Sequence, residues 1–390
     1  INYQPTGGSY SPQFDINKDN VQHLEMNWIY PYVNQDAEDL GFNLAAQTGS
    51  SAPALFIDGV IYIAMNTKAV HAIDATTGQE IWYSDYLSVN PDFNKMVADF
   101  PYLQGSRGHV HAMNYYRAND WLIMSSIPCY LAALNVEDGS LAWEMGPEIL
   151  CGTNEELGNP AQGIMGTFKS KGYFPSISNH PPSFHGDIMV WPSMGASGAG
   201  GRSSIIGYDM SNPNAPKQLW RTWVAPAMDG SQKDWAIEQC DITGGNGWYF
   251  EYPKYRETGQ LALNCKDAPE DAVMNDWINM KPNTPHYGEV HTASAVSPVW
   301  GNMPIDPETG IIYMGTGDIG PYPNATFKFG PNLHGSGIIA VDSTTGELVW
   351  WFATNPHDLW DMDCSWGGII GKAEGTKGLI KACKNGIVYA

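Results

Sequence analysis

The sequence lacks any long apolar run; the stretch of about 18 apolar residues that a membrane-crossing helix needs occurs nowhere in it. It also lacks a basic stretch followed by a short apolar core, so "INYQPTGGSYSPQ" reads as a mature terminus or an arbitrary start, not a leader. Positive charge is scarce. Lys and Arg number 20 against 41 Asp and Glu, a net charge of −21. That balance argues against nucleic acid and anionic membrane surfaces as partners, fits a self-repelling soluble surface, and leaves a cationic partner open. There is no P-loop, no Gly-rich strand-to-helix fingerprint for a dinucleotide and no Ser-His-Asp signature; "GASGAGGR" (195–202) is Gly-rich but has no P-loop lysine.

Cysteine is sparse as well, with six residues: Cys129, Cys151, Cys240, Cys265, Cys364 and Cys383. None stands in CxxC or CxxCH, so zinc ribbons, thioredoxin-like exchange and covalent haem attachment have no support. Successive cysteines pair off at separations of 22, 25 and 19 residues, which suits three local disulfides (Cys129–Cys151, Cys240–Cys265, Cys364–Cys383); free buried thiols are the other reading. An even count leans towards an extracytoplasmic, periplasmic or secreted location.

What is abundant points to an all-β protein. With 42 Gly, 27 Pro, 15 Trp and 20 Tyr, the chain favours many short strands joined by tight turns. Four segments align on a terminal tryptophan: "HAIDATTGQEIW" (71–82), "AALNVEDGSLAW" (132–143), "IIGYDMSNPNAPKQLW" (205–220) and "IIAVDSTTGELVW" (338–350). In three of them Asp or Asn falls eight residues before Trp and Gly four before it, at Asp74/Gly78/Trp82, Asn135/Gly139/Trp143 and Asp342/Gly346/Trp350. The third copy has a longer turn without that glycine. Each copy reads as an apolar strand, a turn whose Gly accepts positive φ, and an outer strand ending in a large aromatic. Further strands precede each copy, as in "ALFIDGVIYIAM" (54–65), two strands about an Asp-Gly turn.

Four antiparallel strands recurring at this spacing predict a β-propeller with tryptophans docked between neighbouring blades. Blades are expected at 51–86, 104–146, 178–225 and 295–354, with a fifth from about 362. Trp28 reads as a stray outer strand of the kind that closes a propeller by completing its last blade. Residues 226–294 fit no blade and read as a long insertion. The chain reaches "KNGIVYA" in the middle of a blade, so 1–390 reads as a single propeller domain that is incomplete, continued in a longer protein or by a second chain.

The blade phrases together with "TNPHDLWDMD" (354–363) resemble the pyrroloquinoline quinone (PQQ)-dependent alcohol dehydrogenases, the eight-bladed quinoproteins that include methanol dehydrogenase. The likeness runs from "YSPQFDINKDNVQHLEMNW" (10–28) to "KNGIVYA". It implies oxidation of a small-molecule alcohol with PQQ and a metal ion, Ca2+ or a lanthanide, and a cytochrome or other electron acceptor. It places the catalytic base on Asp361, a second carboxylate of the lanthanide type on Asp363, and the metal-ligand position of "GTGD" on Asp318. The stacking tryptophan falls on Trp300 and the basic residue facing the quinone oxygens on Lys384.

Other positions depart from the family. Its vicinal cysteines fall on His109 and Val110, the following arginine on Tyr115, and two glutamates on Gly198 and Ser51. His180, with His109 and His111, is a candidate to replace these contacts or to bind metal; purely structural histidines are the other reading. Chemically, a carboxylate takes the hydroxyl proton of the alcohol, and a cation beside the quinone carbonyl makes it more electrophilic. Three carboxylates converging without a cation would repel one another; a hard ion with oxygen ligands resolves this, while the bland reading makes them a solvated turn. Trp351, Trp360 and Trp366 either wall a pocket or pack a core. The alternative to an enzyme is a non-catalytic propeller acting as an extracellular scaffold or binding protein.

Overall fold

A computed structural model describes residues 6–7, 13–31, 53–65, 70–84, 110–126, 130–150, 181–193, 203–212, 216–224, 302–317, 334–355, 358, 360, 362–365 and 367–390. Its strands form five antiparallel meanders in chain order. Sheet 1 contains β1 (Leu55–Ile57), β2 (Val60–Ala64), β3 (Val70–Asp74) and β4 (Glu80–Ser84). Sheet 2 contains β5 (Val110–Tyr116), β6 (Trp121–Ser126), β7 (Tyr130–Asn135) and β8 (Leu141–Met145). Sheet 3 contains β9 (Ser183–His185), β10 (Ile188–Ser193), β11 (Ser204–Asp209) and β12 (Lys217–Trp223). In sheet 4, β13 (Ile311–Gly315), β14 (Gly337–Asp342) and β15 (Leu348–Ala353) are joined by a bridge from Ile305 to Ile312, the start of a fourth strand. Sheet 5 has β16 (Ile369–Ala373), β17 (Thr376–Ala382) and β18 (Val388–Tyr389). These are the expected blades.

In the first and fourth copies the repeat phrase builds the same local device; in the second, Asn135 Nδ2 instead donates to Ser140 Oγ (2.8 Å). The turn aspartate uses its side chain to gather the donors of the turn. Asp74 Oδ1 accepts from the amides of Thr76 (2.9 Å) and Thr77 (2.7 Å), and Asp342 Oδ1 from those of Thr344 (2.7 Å) and Thr345 (3.1 Å). Bonds from the Thr77 amide and hydroxyl at Asp74, and from the Thr344 hydroxyl and then its amide at Asp342, hold both carboxyls below the usual carboxylate range. Gly346 closes the turn at φ +78 and donates its N–H to Asp342 O (2.8 Å).

The pairing then slips by one residue between third and fourth strands, and a small residue lies opposite the tryptophan: Ala72 and Trp82, Ala133 and Trp143, Gly207 and Trp220, Ala340 and Trp350. The bulge sharpens the local twist, and the small partner leaves room for the indole. At Gly207 a Cβ would stand 2.2 Å from the Trp220 ring.

Each indole that reaches a glycine turn of the next sheet lies flat on it and donates to a turn carbonyl. Trp82 covers Gly139 and bonds Val136 O (2.9 Å); Trp220 covers Gly346 and bonds Ser343 O (3.2 Å). Trp28 does the same at Gly78, bonding Ala75 O (3.0 Å), so the segment before sheet 1 presents a tryptophan as any preceding blade would. Trp143 meets the sheet whose turn lacks the glycine. It is buried among Trp121, Met189 and Trp191 instead, and its Nε1 has no hydrogen-bond partner among the described residues. Apolar clusters of this kind fill the spaces between sheets 1 and 2, 2 and 3, and 3 and 4, each fully buried large side chain contributing about 1.5–3 kcal/mol.

Candidate functional site

The D-x-x-x-G turns mark one end of the sheets. At the other end, past the last residues of β13 and β15 and beside the β17–β18 turn, the chain knits together the segment that carries the W-D-x-D phrase. Cys364 donates its amide to Thr316 O (3.1 Å), and Thr316 Oγ1 accepts from Gly337 N (2.9 Å). Gly315 allows this close approach, since a Cβ there would sit 2.2 Å from the Cys364 carbonyl oxygen. Asn385 Nδ2 and Tyr389 Oη both donate to Thr354 O, at 3.1 Å each. Cys364 and Cys383 form a disulfide, the one of the three expected pairs that falls on described residues.

That disulfide fixes the two site residues that flank it. Asp363 and Lys384 are joined twice: Lys384 N–H donates to Asp363 O (3.1 Å), and Lys384 Nζ lies 3.3 Å from Asp363 Oδ2. The carboxylate is 7% exposed and the lysine side chain 47%, so the ammonium stands on the open side of a buried acid. Two positions singled out in the sequence, 21 residues apart, thus meet.

Asp358 answers differently. Only 3% exposed, it takes three hydrogen bonds, from Ser336 Oγ, Trp360 N and Met362 N, and serves the backbone. Trp351 is core, with His334 against its ring (5.4 Å between centroids), while Trp360 is 66% exposed and walls nothing described. Burial pulls the His334 imidazole down to about 4, so it stays neutral, its Nδ1–H donating to Val224 O (2.7 Å).

Asp318, Asp361, Trp300 and His180 lie outside the described residues, as do His109, Ser51, Gly198, Trp366, the insertion at 226–294 and the remaining four cysteines. Tyr115, where the resemblance puts an arginine, bonds Asp120 Oδ1 (2.5 Å) at the turn end of β5. Two described cavities, of about 630 and 470 Å3, also open at that end, and Tyr115 lines both. Neither is lined by a site residue expected from the sequence.

Sequence reasoning missed Ser336 and Lys381. Ser336 is fully buried and Lys381 2% exposed, and neither belongs to a motif. In this half of the site the donor set suits the implied groups. A buried carboxylate offers oxygen to a hard cation. The Lys384 ammonium, with the buried donors Asn355 Nδ2 and Ser365 Oγ that find no acceptor among the described residues, suits an acceptor-rich ligand.

Radial four-stranded sheets locked by tryptophan on a glycine turn define a propeller of the quinoprotein type. A family model, glucose/ethanol/alcohol dehydrogenase β-propeller domain (PQQ), matches residues 1–250 and 274–390, and the chain belongs to that family. Quinoprotein alcohol dehydrogenase PedH of Pseudomonas putida is 25% identical over 359 residues, covering 92% of this chain and 46% of its own length. The dehydrogenase subunit of the alcohol dehydrogenase (quinone) of Gluconobacter oxydans is 23% identical, covering 90% of this chain and 37% of its own. The chain therefore spans less than half the length of these curated relatives. Among solved structures, a europium-containing methanol dehydrogenase superposes with a TM-score of 0.62 at 19% identity, covering 99% of this chain and 54% of that one. The quinohemoprotein alcohol dehydrogenase of Comamonas testosteroni gives 0.60 at 21%, covering 97% of this chain and 44% of that one. These two likenesses establish the fold.

Proposed function

We propose that this chain carries the cofactor side of a PQQ-dependent alcohol dehydrogenase that works outside the cytoplasm with a calcium or lanthanide ion and passes electrons to a cytochrome or another external acceptor. The observation that supports it most directly is the contact of Asp363 with Lys384, two positions named by the family resemblance, at the end of the sheets away from the turns. When bound, PQQ supplies an electrophilic quinone carbon that takes a hydride. The alcohol gives that hydride from carbon and a proton from oxygen, leaving an aldehyde.

The chain's own residues have distinct tasks. Asp361 accepts the hydroxyl proton. Asp318, Asp361 and Asp363 would hold the cation, whose positive charge would offset the mutual repulsion of those carboxylates. Trp300 offers a flat apolar surface for the cofactor, Lys384 offsets negative charge on its reduced oxygens, and His180 contacts the ligand in the half that departs from the family. The extra carboxylate at Asp363 favours the higher charge of a lanthanide over calcium. A disulfide beside the site and a net charge of −21 support an oxidising compartment and a cationic electron acceptor.

The full-length protein should show near-ultraviolet quinone absorbance and bound metal as isolated. Asp361→Asn should lower dye-linked alcohol oxidation by about 10²–10⁴-fold with the melting curve unchanged. Protein isolated from its source without quinone or metal would instead leave a non-catalytic propeller, the reading that Tyr115, turned away to Asp120, favours.

A further inference from the structure

Ser336 stands at a junction of three segments. It is fully buried and holds φ +42, a left-handed conformation that is uncommon outside glycine. Its N–H donates to Gly317 O (2.7 Å), the residue before Asp318. Its carbonyl receives Thr354 N (2.9 Å), Thr354 Oγ1 (2.6 Å) and Asn355 N (3.2 Å) at the end of β15. Its hydroxyl donates to Asp358 Oδ2 (2.6 Å). Asp358 then accepts Met362 N on the same oxygen (2.7 Å) and Trp360 N on the other (2.9 Å).

Trp360 and Met362 flank Asp361 in the chain. The segment leading to Asp318, the two amides around Asp361 and, through Thr316 O and Cys364 N (3.1 Å), the residue after Asp363 are therefore tied to one strand end.

We propose that the Ser336–Asp358 pair is a positioning element that sets the spacing of the three cation-holding carboxylates; this rests on the function proposed above. A local turn would need only the bond that Trp360 N–H donates to Asp358. The bond to Ser336 spans 22 residues and brings in another segment, and a buried carboxylate holding three donors is a stiff connection. Glycine would relieve the backbone at 336 but has no hydroxyl. Strain retained for the sake of a side chain is the mark of a positioning role.

The test uses the full-length protein stripped of metal and titrated with Tb3+, followed by tryptophan-sensitised luminescence. Asp358→Asn keeps the shape but turns an amide toward at least one donor. Ser336→Gly keeps the backbone conformation and deletes the hydroxyl, so it guards against a variant that fails to fold. Both should bind Tb3+ about 10–100-fold more weakly, and both should lose kcat with little change in KM for the alcohol. Asp306→Asn, which removes a comparably buried carboxylate at the turn end, should lower the melting temperature and leave the titration unchanged. Parent protein that binds Tb3+, with Asp358→Asn and Ser336→Gly binding it equally well, overturns the positioning role alone. Parent protein that binds no Tb3+ overturns the reading of the site, and the positioning role falls with it.

Discussion

Lys377 and Lys381 stand four residues apart on β17, and their surroundings move them in opposite directions. Hydrogen bonds to Asp306 and Glu308 raise Lys377 above its ordinary value. Lys381 has no hydrogen-bond partner for its Nζ among the described residues, and burial pushes it down to about 8. A lysine lowered on folding binds fewer protons in the folded state than in the unfolded one. Its burial therefore weakens the fold at neutral pH, and stability recovers as pH rises from about 8 towards the ordinary value of 10.5. Lys377 does the reverse, its contribution being complete below the ordinary lysine value and lost as pH climbs through its raised one. Lys381→Met should stabilise the protein by on the order of 2 kcal/mol at pH 7 and remove the alkaline gain, as read from urea midpoints at pH 7 and 10. A variant whose midpoint rises equally at both pH values would refute the titration argument.

At the level of the element, the glycine turn is a seat as well as a bend, and its two demands can be separated. Gly59 holds φ +88 with open space where a Cβ would go, whereas Gly346 holds φ +78 with the Trp220 ring 2.5 Å from that position. Gly59→Ala should lose about 1 kcal/mol from the conformation alone. Gly346→Ala should lose about 2–4 kcal/mol, because the indole must also leave its carbonyl. The difference in urea midpoints measures the seat, and equal losses would mean that Trp220 contributes nothing there. A similar split applies to Cys364 and Cys383. Opening this cross-link, 19 residues in span, should cost about 3 kcal/mol and loosen the Asp363–Lys384 contact on either side of it, so mild reduction should weaken Tb3+ binding before the far-ultraviolet signal changes.

These turns were the most legible part of the chain because their parts lie within about twelve residues of one another. Asp, Gly and Trp at fixed spacing suffice to write the strand, the bend and the docking ring. The slip opposite each tryptophan is less visible, since only its small residue shows. Ser336 and Asp358 were hidden for a different reason: their bond joins segments 22 residues apart, and serine in a left-handed conformation leaves no trace in composition. The contact of Asp363 with Lys384 became readable only through a family likeness, because no periodicity relates a loop acid to a hairpin lysine.

Seen as a whole molecule, the sheets repeat but the seams between them do not. Sheets 1 and 2, and 3 and 4, are joined by an indole on a glycine turn. Sheets 2 and 3 meet without that seat, and the aromatic and methionine cluster around Trp143 and Trp191 takes its place. Between sheets 4 and 5 the fastening at the turn end is ionic, while at the site end Asn385 and Tyr389 hydrogen-bond Thr354 O and the Tyr389 ring meets Phe352. Lys377 Nζ reaches both oxygens of Asp306 (2.9 and 2.8 Å) and Glu308 Oε2 (2.7 Å). Burial opposes ionisation of Asp306, yet the bonds from Lys377 and the Glu308 amide win and keep its carboxyl below the ordinary range. With Lys377 gone, a carboxylate only 3% exposed would lose its cation, a far greater penalty than the loss of a surface pair. Lys372 offers the comparison: it lies 3.9 Å from Glu308 and both side chains are more than 60% exposed. Lys377→Met should therefore lower the melting temperature clearly and raise hydrogen exchange on the facing strands β13 and β16. Lys372→Met should do neither, since an exposed pair contributes about 0–1 kcal/mol. If the two variants melted alike, the ionic seam would be ornamental, and sheet 5 would have to be held by its disulfide and the contacts at the site end.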